Sequence, residues 1–232
     1  MAQNQKLNYN QKYFEERDHL DLHLAQSLKI LADEKNVKSI LDVGCGTGRL
    51  VKFLNKNGYE THGCDTSEEA LKIAQKANPN KIKKGQAQKL PYLKNSFDMV
   101  TAISVLEHLT KNEAKVFVLE SKRVLKKNGL LFIITPNYSS PFRFLFDKRW
   151  FGYSDPTHLH FYTPKTLSLL LSQNGFGKIR FRFKTAYNVK FDWYLPSFCR
   201  RLPMPAKNIL NYLMISSPLA TFRDSLWVCG QK

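Results

Sequence analysis

Three glycines and one carboxylate in the first third of the chain can hold a nucleoside-like ligand. Gly44, Gly46 and Gly48 follow a short apolar run and precede a helical pattern, which predicts a strand, a tight loop and a helix. A ligand can lie against backbone without side chains, and the N–H groups that open the helix stay free to bind it. Asp65 follows a second apolar segment, and its carboxylate can accept hydrogen bonds from both ribose hydroxyls of an adenosine.

The spacing of the glycines distinguishes between cofactor classes. A dinucleotide fingerprint reads G-x-G-x-x-G, whereas this loop reads G-x-G-x-G and has Arg49 at the position of the last glycine. The loop therefore favours a nucleoside cofactor other than NAD. A glycine turn without a ligand is the alternative, and the matching acid downstream argues against it.

A second group of residues can do proton chemistry. Glu107 and His108 follow the fourth apolar run, and His158 and His160 precede a capped helix. In an extended segment His158 and His160 point to the same side, so one can face a ligand while the other supports it. Because an imidazole titrates near neutrality, His158 or His160 is our candidate general base. For Glu107 and His108, a place in an acceptor pocket and a helix-capping role both stay open.

A sheet must bring these residues together. Helical patterns alternate with apolar runs, which predicts an α/β fold with a doubly wound parallel sheet and ligands at the carboxyl ends of the strands. Asn128 and Gly129 are predicted to end a helix before the fifth strand. The predicted strands are residues 40–43, 59–64, 81–85, 96–103, 130–135, 175–184 and 225–232. Besides the helix after the glycine loop, the sequence predicts one or two helices over 11–34 and single helices over 67–77, 112–126 and 163–174.

Several motifs resemble the class I S-adenosylmethionine-dependent methyltransferases. LDVGCGTG, GCD and VLEHL are similar to the small-molecule branch, including the enzymes of ubiquinone biosynthesis. The stretch 155–164 resembles the D-P-x-H-x-H-x-F-T segment of members with sugar, lipid or other small acceptors. The resemblance implies a Rossmann-like, mostly parallel seven-stranded sheet whose last strand is antiparallel. It also implies S-adenosylmethionine as cofactor and methyl transfer to an oxygen or nitrogen atom of a small acceptor.

The resemblance assigns roles to individual residues. Gln86 stands where the family has an acid for the adenine amino group, and we expect weaker binding from its neutral carbonyl. Ser104 stands where some relatives have a further glutamate for a divalent metal, so we expect no metal. The predicted cofactor-binding residues are Asp42, Gly44, Cys45, Gly46, Gly48, Asp65, Thr66, Gln86, Ala87 and Ser104, and the predicted catalytic residues are Glu107, His108, His158 and His160.

The chain is strongly basic, with a formal net charge of +17, and no glutamate follows Glu120. This distribution favours an anionic small-molecule acceptor, a membrane surface or, less, nucleic acid, and a general solubility charge is the alternative. The alternating basic and aromatic segment 175–184 and the apolar segment 195–220 together are a candidate membrane contact, with core packing as the alternative for the latter.

The remaining expectations concern compartment, organisation and rival functions. A polar start, no apolar run long enough to span a bilayer and no C-x-x-C pair predict a cytoplasmic protein, with attachment at the membrane surface as an option. We expect one domain: a helical cap (1–35), a cofactor-binding core (36–136), an aromatic and basic lid (137–164) that is irregular over 137–155, and a C-terminal part with a basic insertion (165–232). An RNA methyltransferase, which lacks support from an N-P-P-Y motif, and a noncatalytic cofactor-binding protein stay open as alternatives.

Overall fold

The computed structural model describes residues 19–181, 201–207, 209 and 223–232, and every structural statement below refers to these residues. The strands are β1 (Ser39–Val43), β2 (Glu60–Asp65), β3 (Ile82–Lys84), β4 (Phe97–Ile103), β5 (Leu125–Pro136), β6 (Gly177–Arg180) and β7 (Ser225–Gln231). The α-helices are α1 (Leu22–Glu34), α2 (Arg49–Lys56), α3 (Glu68–Ala77), α4 (Lys111–Val124), α5 (Pro141–Phe146) and α6 (Pro164–Gln173). Short 3₁₀ helices cover Leu106–His108, Asp147–Arg149 and Phe151–Tyr153.

The strands form one sheet in the order β3-β2-β1-β4-β5-β7-β6. The five strands β1 to β5 pair in parallel, while β7 runs antiparallel to both β5 and β6. The predicted α/β sheet of seven strands with an antiparallel last strand is therefore confirmed. Parallel pairing aligns the carboxyl ends of β1, β2 and β4 at one edge of the sheet, where the segments that follow these strands meet.

Both faces of the sheet are covered, which explains why β1 is buried along its whole length. One hydrophobic cluster packs α4 and α6 on the sheet and includes Phe117 and Leu167. A second packs α1 and α2 on the opposite side and includes Leu28 and Leu54. Local capping fixes where the helices begin. For example, Thr110 and Glu113 form a capping box at the start of α4, as the sequence pattern allows.

The prediction that Asn128 and Gly129 end a helix is wrong. Helix α4 ends at Val124, and β5 continues from Leu125 without a break. The register with β4 shifts over this stretch, because Phe97 pairs with Leu125 while Met99 pairs with Leu130. The left-handed φ of Asn128, +63°, therefore belongs to a bulge inside a strand.

The lid is more regular than the sequence predicts. It was expected to be irregular, yet it contains α5 and two 3₁₀ helices. The reason is local, because Pro141 occupies the first turn of α5 and the Ser140 side chain accepts a hydrogen bond from the Phe142 N–H.

Several predictions lie partly or wholly outside the described residues. These include the first part of the N-terminal helix, the end of the basic strand 175–184, Cys199 and most of the segment 195–220. Cys45, Cys64 and Cys229 are buried free thiols. Within the described ranges, none of the helices has the length and apolar character needed to cross a bilayer. The division of the chain into four parts stays a prediction.

Candidate active site

A cavity of about 860 Å³ lies at the carboxyl edge of the sheet. This volume is in the range that holds a cofactor-sized ligand. The glycine loop and the ends of β2 and β3 form one side of the cavity, and the segments after β4 and β5 form the other. The predicted site residues among its lining are Gly44, Gly46, Asp65, Thr66, Gln86, Ala87, Ser104, Glu107, His108 and His158.

The loop after β1 is built so that backbone faces the cavity. Gly44 and Gly46 have φ values of +71° and +51°, a region that side chains disfavour. A Cβ on Gly44 would lie 2.5 Å from Val105 Cγ2, whereas a Cβ on Gly46 would meet nothing within 4 Å. Gly44 is therefore required by packing and backbone conformation. Gly46 faces open space that a ligand can occupy.

Asp65 is held by backbone N–H groups on both of its carboxylate oxygens. Oδ2 accepts a hydrogen bond from Gly46 N at 2.8 Å, and Oδ1 accepts one from Ser67 N at 2.9 Å. Each oxygen keeps a second acceptor position, so the carboxylate can still receive two ligand hydroxyls. The open space at Gly46 and this oriented acid fit the adenosyl part of a nucleoside cofactor.

Three predicted cofactor residues, Asp42, Cys45 and Gly48, are not among the residues that line the cavity. A Cβ on Gly48 would approach the Asn78 side chain to 2.7 Å, so this glycine allows α2 to pack against the end of α3. Asp42 is buried and accepts a hydrogen bond from Thr101 Oγ1 at 2.7 Å. Burial raises the pKa of Asp42 to about 7. Together with the buried Cys45, these residues support the loop from below.

On the opposite side of the cavity, Glu107 joins two segments that are distant in the sequence. Its backbone carbonyl accepts hydrogen bonds from Leu159 N at 2.8 Å and His160 N at 3.2 Å. Its side chain, 1% exposed, accepts one from Thr135 Oγ1 at 3.0 Å. Burial raises the pKa of Glu107 to about 7. The 3₁₀ helix after β4 and the histidine segment at the end of the lid therefore form one unit.

Two imidazoles of this unit, those of His108 and His158, pack edge to face with their ring centroids 4.8 Å apart. His158 Nδ1 lies 2.6 Å from the Gly152 carbonyl oxygen. A carbonyl only accepts hydrogen bonds, so the hydrogen-bond network assigns the proton of neutral His158 to Nδ1. The Nε2 atom of His158 is then a lone-pair acceptor.

The tautomer of His108 follows from a chain of two hydrogen bonds. Thr157 Oγ1 lies 2.5 Å from Asp155 Oδ1 and 2.9 Å from His108 Nδ1. The ionised carboxylate can only accept hydrogen bonds, so the Thr157 hydroxyl donates its hydrogen bond to Asp155. The same hydroxyl oxygen then accepts a hydrogen bond from the N–H at His108 Nδ1. Like His158, neutral His108 therefore has its lone pair on Nε2.

The protonation states suit proton transfer near neutrality. Burial lowers the pKa of His108, and the positive charge of a protonated His158 lowers it further. Burial acts to raise the pKa of Asp155, but hydrogen bonds from the Thr157 side chain and backbone outweigh it and hold this pKa below its usual range. The site thus combines a neutral imidazole with an ionised carboxylate linked to it through a hydroxyl.

His160 is placed away from this pair. Its ring packs edge-on against Tyr162 with centroids 4.7 Å apart, and burial followed by the charge of Lys111 lowers its pKa. Sequence reasoning missed the roles of Asp155 and Thr157, although both lie in the motif that carried the histidines. The D-x-T spacing, which allows an aspartate to bond a threonine two residues on, was the available signal.

The donor atoms of Glu107, His108 and His158 lie within 4.8 Å of one another, a set that a divalent cation can use. Glu107 accepts a hydrogen bond from Thr135, and burial raises its pKa to about 7, so a proton competes with a cation for this ligand below neutral pH. The same three residues can serve proton transfer, and the dependence of activity on a metal ion distinguishes the two roles.

Residues 41–133 match the model of the methyltransferase domain family. This segment is a class I S-adenosylmethionine-dependent methyltransferase domain. S-adenosylmethionine is accordingly the cofactor of the domain, and the open space at Gly46 and the oriented carboxylate of Asp65 are compatible with its adenosine.

Curated relatives match roughly half of the chain. The "Ubiquinone biosynthesis O-methyltransferase" of Pelagibacter ubique is 33% identical over 121 residues, which is 50% of this chain and 50% of the relative. The mitochondrial protein of that name from Rattus norvegicus is 33% identical over 152 residues, 59% of this chain and 43% of the relative. The chain thus spans about half the length of the curated relatives it matches.

Solved structures match over nearly the whole chain. A SAM-dependent methyltransferase from Archaeoglobus fulgidus has a TM-score of 0.66 at 21% identity, covering 97% of this chain and 100% of its own. A possible histamine N-methyltransferase from Thermotoga maritima has a TM-score of 0.62 at 19% identity, covering 95% and 93%. At these identities the similarity establishes the fold.

Proposed function

We propose that this protein transfers the methyl group of S-adenosylmethionine to an oxygen atom of a small-molecule acceptor. The observation that supports the proposal is the common cavity, whose lining includes the glycine loop and Asp65 together with His108 and His158. Oxygen as the acceptor atom is supported by the relatives, which are named O-methyltransferases. We also propose the cytoplasmic location expected from the sequence.

In this proposal the cofactor side acts mainly through backbone. Gly44 and Gly46 present their backbone to the cofactor, Asp65 accepts its ribose hydroxyls, and Gln86 accepts from its adenine amino group. S-adenosylmethionine supplies a methyl group on a sulfonium, which is already activated for transfer. The protein must therefore hold the acceptor oxygen in line with that methyl, and such orientation contributes about 7 to 11 kcal/mol.

The acceptor side removes the hydroxyl proton. Nε2 of His108 or His158 accepts this proton as the hydroxyl oxygen becomes methylated. For His108, the resulting imidazolium is stabilised by Asp155 through Thr157. For His158, the Gly152 carbonyl accepts from the opposite nitrogen. We assign His108 and His158 as the candidate bases and give His160 a supporting place behind them.

The charge of the cavity bears on the acceptor. Four of the described lining residues carry carboxyl groups: Asp65, Glu107, Glu113 and Asp155. None of the described lining residues is lysine or arginine. An anion at the reacting centre would be repelled by the ionised members of this group. We therefore propose an acceptor whose reacting end is an uncharged hydroxyl. The anionic character expected from the sequence then belongs to parts of the acceptor that lie outside the cavity.

The test incubates the protein with methyl-labelled S-adenosylmethionine and a cell extract from which the labelled product is isolated. We expect a labelled small-molecule ether with the wild type and none with the double variant His108→Gln/His158→Gln. His160→Gln is the matched control and should keep the label. Added chelator should leave the label unchanged.

Four outcomes would contradict the proposal. Label in RNA would favour the RNA methyltransferase, and cofactor binding without any labelled product would favour the noncatalytic alternative. Full labelling by the double variant would remove the base assignment. Loss of labelling on chelation, restored by a divalent ion, would show that a cation acts at the histidine pair.

A further inference from the structure

The lid segment, which we define as residues 141–153, exposes large apolar side chains. Phe144 is 71% and Leu145 is 70% exposed on the short helix α5. Phe146, Phe151 and Tyr153 add 44%, 43% and 39% exposure within the same short stretch. Single exposed apolar residues are normal on a protein surface, but a contiguous group of this kind marks an interaction site.

The lid segment is anchored in a way that keeps these side chains outside. Trp150 is 1% exposed, and its indole N–H donates to Asp224 Oδ1 at 3.0 Å. The Ser140 hydroxyl donates to the same oxygen at 2.6 Å, so the residue before α5 is fixed to the body as well. These two anchors lie on either side of Phe144 and Leu145 in the chain, so the segment is attached to the body of the protein while both side chains are exposed.

Charge identifies the partner. Arg143, Lys148 and Arg149 accompany the apolar residues, against one acid, Asp147. The Arg143 guanidinium lies 4.1 Å from the ring centres of both Tyr138 and Phe144, which combines cation and aromatic in one patch. Aromatic and aliphatic side chains flanked by bases suit an anionic lipid surface. A second copy of this chain is disfavoured, because each copy carries a formal charge of +17.

We propose that the lid segment inserts into the interface of an anionic membrane, with Phe144 and Leu145 in the acyl boundary and Lys148 and Arg149 at the headgroups. Phe151 belongs to the exposed stretch and also lines the cavity, so the lipid-facing surface is continuous with the site. An acceptor with an apolar tail can then enter from the lipid, a consequence that rests on the proposed function. This surface differs from segment 195–220, the candidate membrane contact for which the sequence left core packing as the alternative.

The experiment measures sedimentation of the full chain with vesicles made of equal parts phosphatidylcholine and phosphatidylglycerol, compared with pure phosphatidylcholine. We expect binding to the anionic vesicles that weakens with salt. Phe144→Asp/Leu145→Asp should reduce it by about tenfold or more. Leu93→Asp is the matched control, because Leu93 is 81% exposed outside the lid segment. The variant Lys148→Glu/Arg149→Glu should lose the part of vesicle binding that depends on salt.

Three results would overturn the proposal. The wild-type protein could stay in the supernatant, or the Phe144/Leu145 and Leu93 variants could bind equally. A dimer held together by Phe144 and Leu145 would be the third. Tight binding of polyuridylate that depends on the same residues would assign the surface to nucleic acid. Vesicle binding needs no methyl transfer, so its failure is distinct from failure of the proposed function. Calorimetry with S-adenosylhomocysteine verifies that each variant is folded.

Discussion

The two sides of the cavity are built by different means. The cofactor side consists of a few neighbouring residues, Gly44 to Gly46 and Asp65, whose hydrogen bonds involve backbone. The acceptor side joins three segments, around His108, Thr135 and His158, through side-chain hydrogen bonds as well as backbone bonds to the Glu107 carbonyl. The cofactor side therefore depends on conformation and space, and the acceptor side depends on where protons reside. Variants that separate these two dependences test the comparison.

The largest effect is expected on the acceptor side. With an identified acceptor, His108→Gln or His158→Gln should lower kcat by about 10²- to 10⁴-fold if that residue is the base, because a positioned base contributes this much. The affinity for S-adenosylhomocysteine should stay within about twofold in both variants, since the cofactor side is built independently. Kinetics and calorimetry on the same samples give this split. A parallel loss of cofactor binding would mean that the two sides are not separable.

Stability should depend on pH through Glu107. The folded protein holds this carboxyl protonated up to a pKa of about 7, while the unfolded chain releases the proton near 4.5, so stability falls as pH rises between these values. The loss amounts to at most about 3 kcal/mol. Glu107→Gln should flatten the pH dependence by about this amount in denaturant titrations at pH 5 and pH 8. The exposed Glu34, changed to Gln, serves as control, and equal pH dependence in all three proteins would contradict the assignment.

The cofactor side should fail through sterics. Gly44→Ala introduces a Cβ 2.5 Å from Val105 Cγ2 at a φ of +71°, and we expect a loss of about 2 kcal/mol in binding of S-adenosylhomocysteine. Gly58→Ala carries similar backbone strain, at a φ of +89°, but meets nothing within 4 Å. It should cost stability without affecting calorimetric affinity. Similar affinities for the two variants would remove the role of the Val105 contact.

The smallest effect is expected from breaking the hydrogen-bonded link between Asp155 and His108 on the acceptor side. Thr157→Val breaks the link between Asp155 and His108, so the imidazolium loses support and the pKa of His108 falls further. If His108 is the base, kcat/KM should drop about tenfold, and its acidic limb should move to lower pH because a weaker base is protonated at lower pH. Thr157→Ser keeps the hydroxyl and should restore both values. An unchanged pH profile in Thr157→Val would leave His158 as the base.

Sequence reasoning recovered the parts of this molecule that are local. The glycine loop and the alternation of strands and helices follow from contiguous patterns, because a strand, a tight turn and a helix need no distant partner to be recognised. The bulge at Asn128 was missed because its cause is the register with β4. The link from Asp155 to His108 was missed because these residues are neighbours only through the folded chain. Gly48 was assigned to the ligand, whereas its closest neighbours are Asn78 and Ala74.

The thiols beneath the glycine loop have a practical consequence. Burial raises the pKa of the Cys64 thiol to about 12 and that of the Cys45 thiol still further, so both are protonated as well as shielded. Alkylating reagents attack the thiolate, which means that they can label Cys45 only in molecules whose loop has swung open. The rate at which this native cysteine is alkylated thus reports how often the loop opens. A bound nucleoside should lower that rate, and the measurement needs no engineered probe.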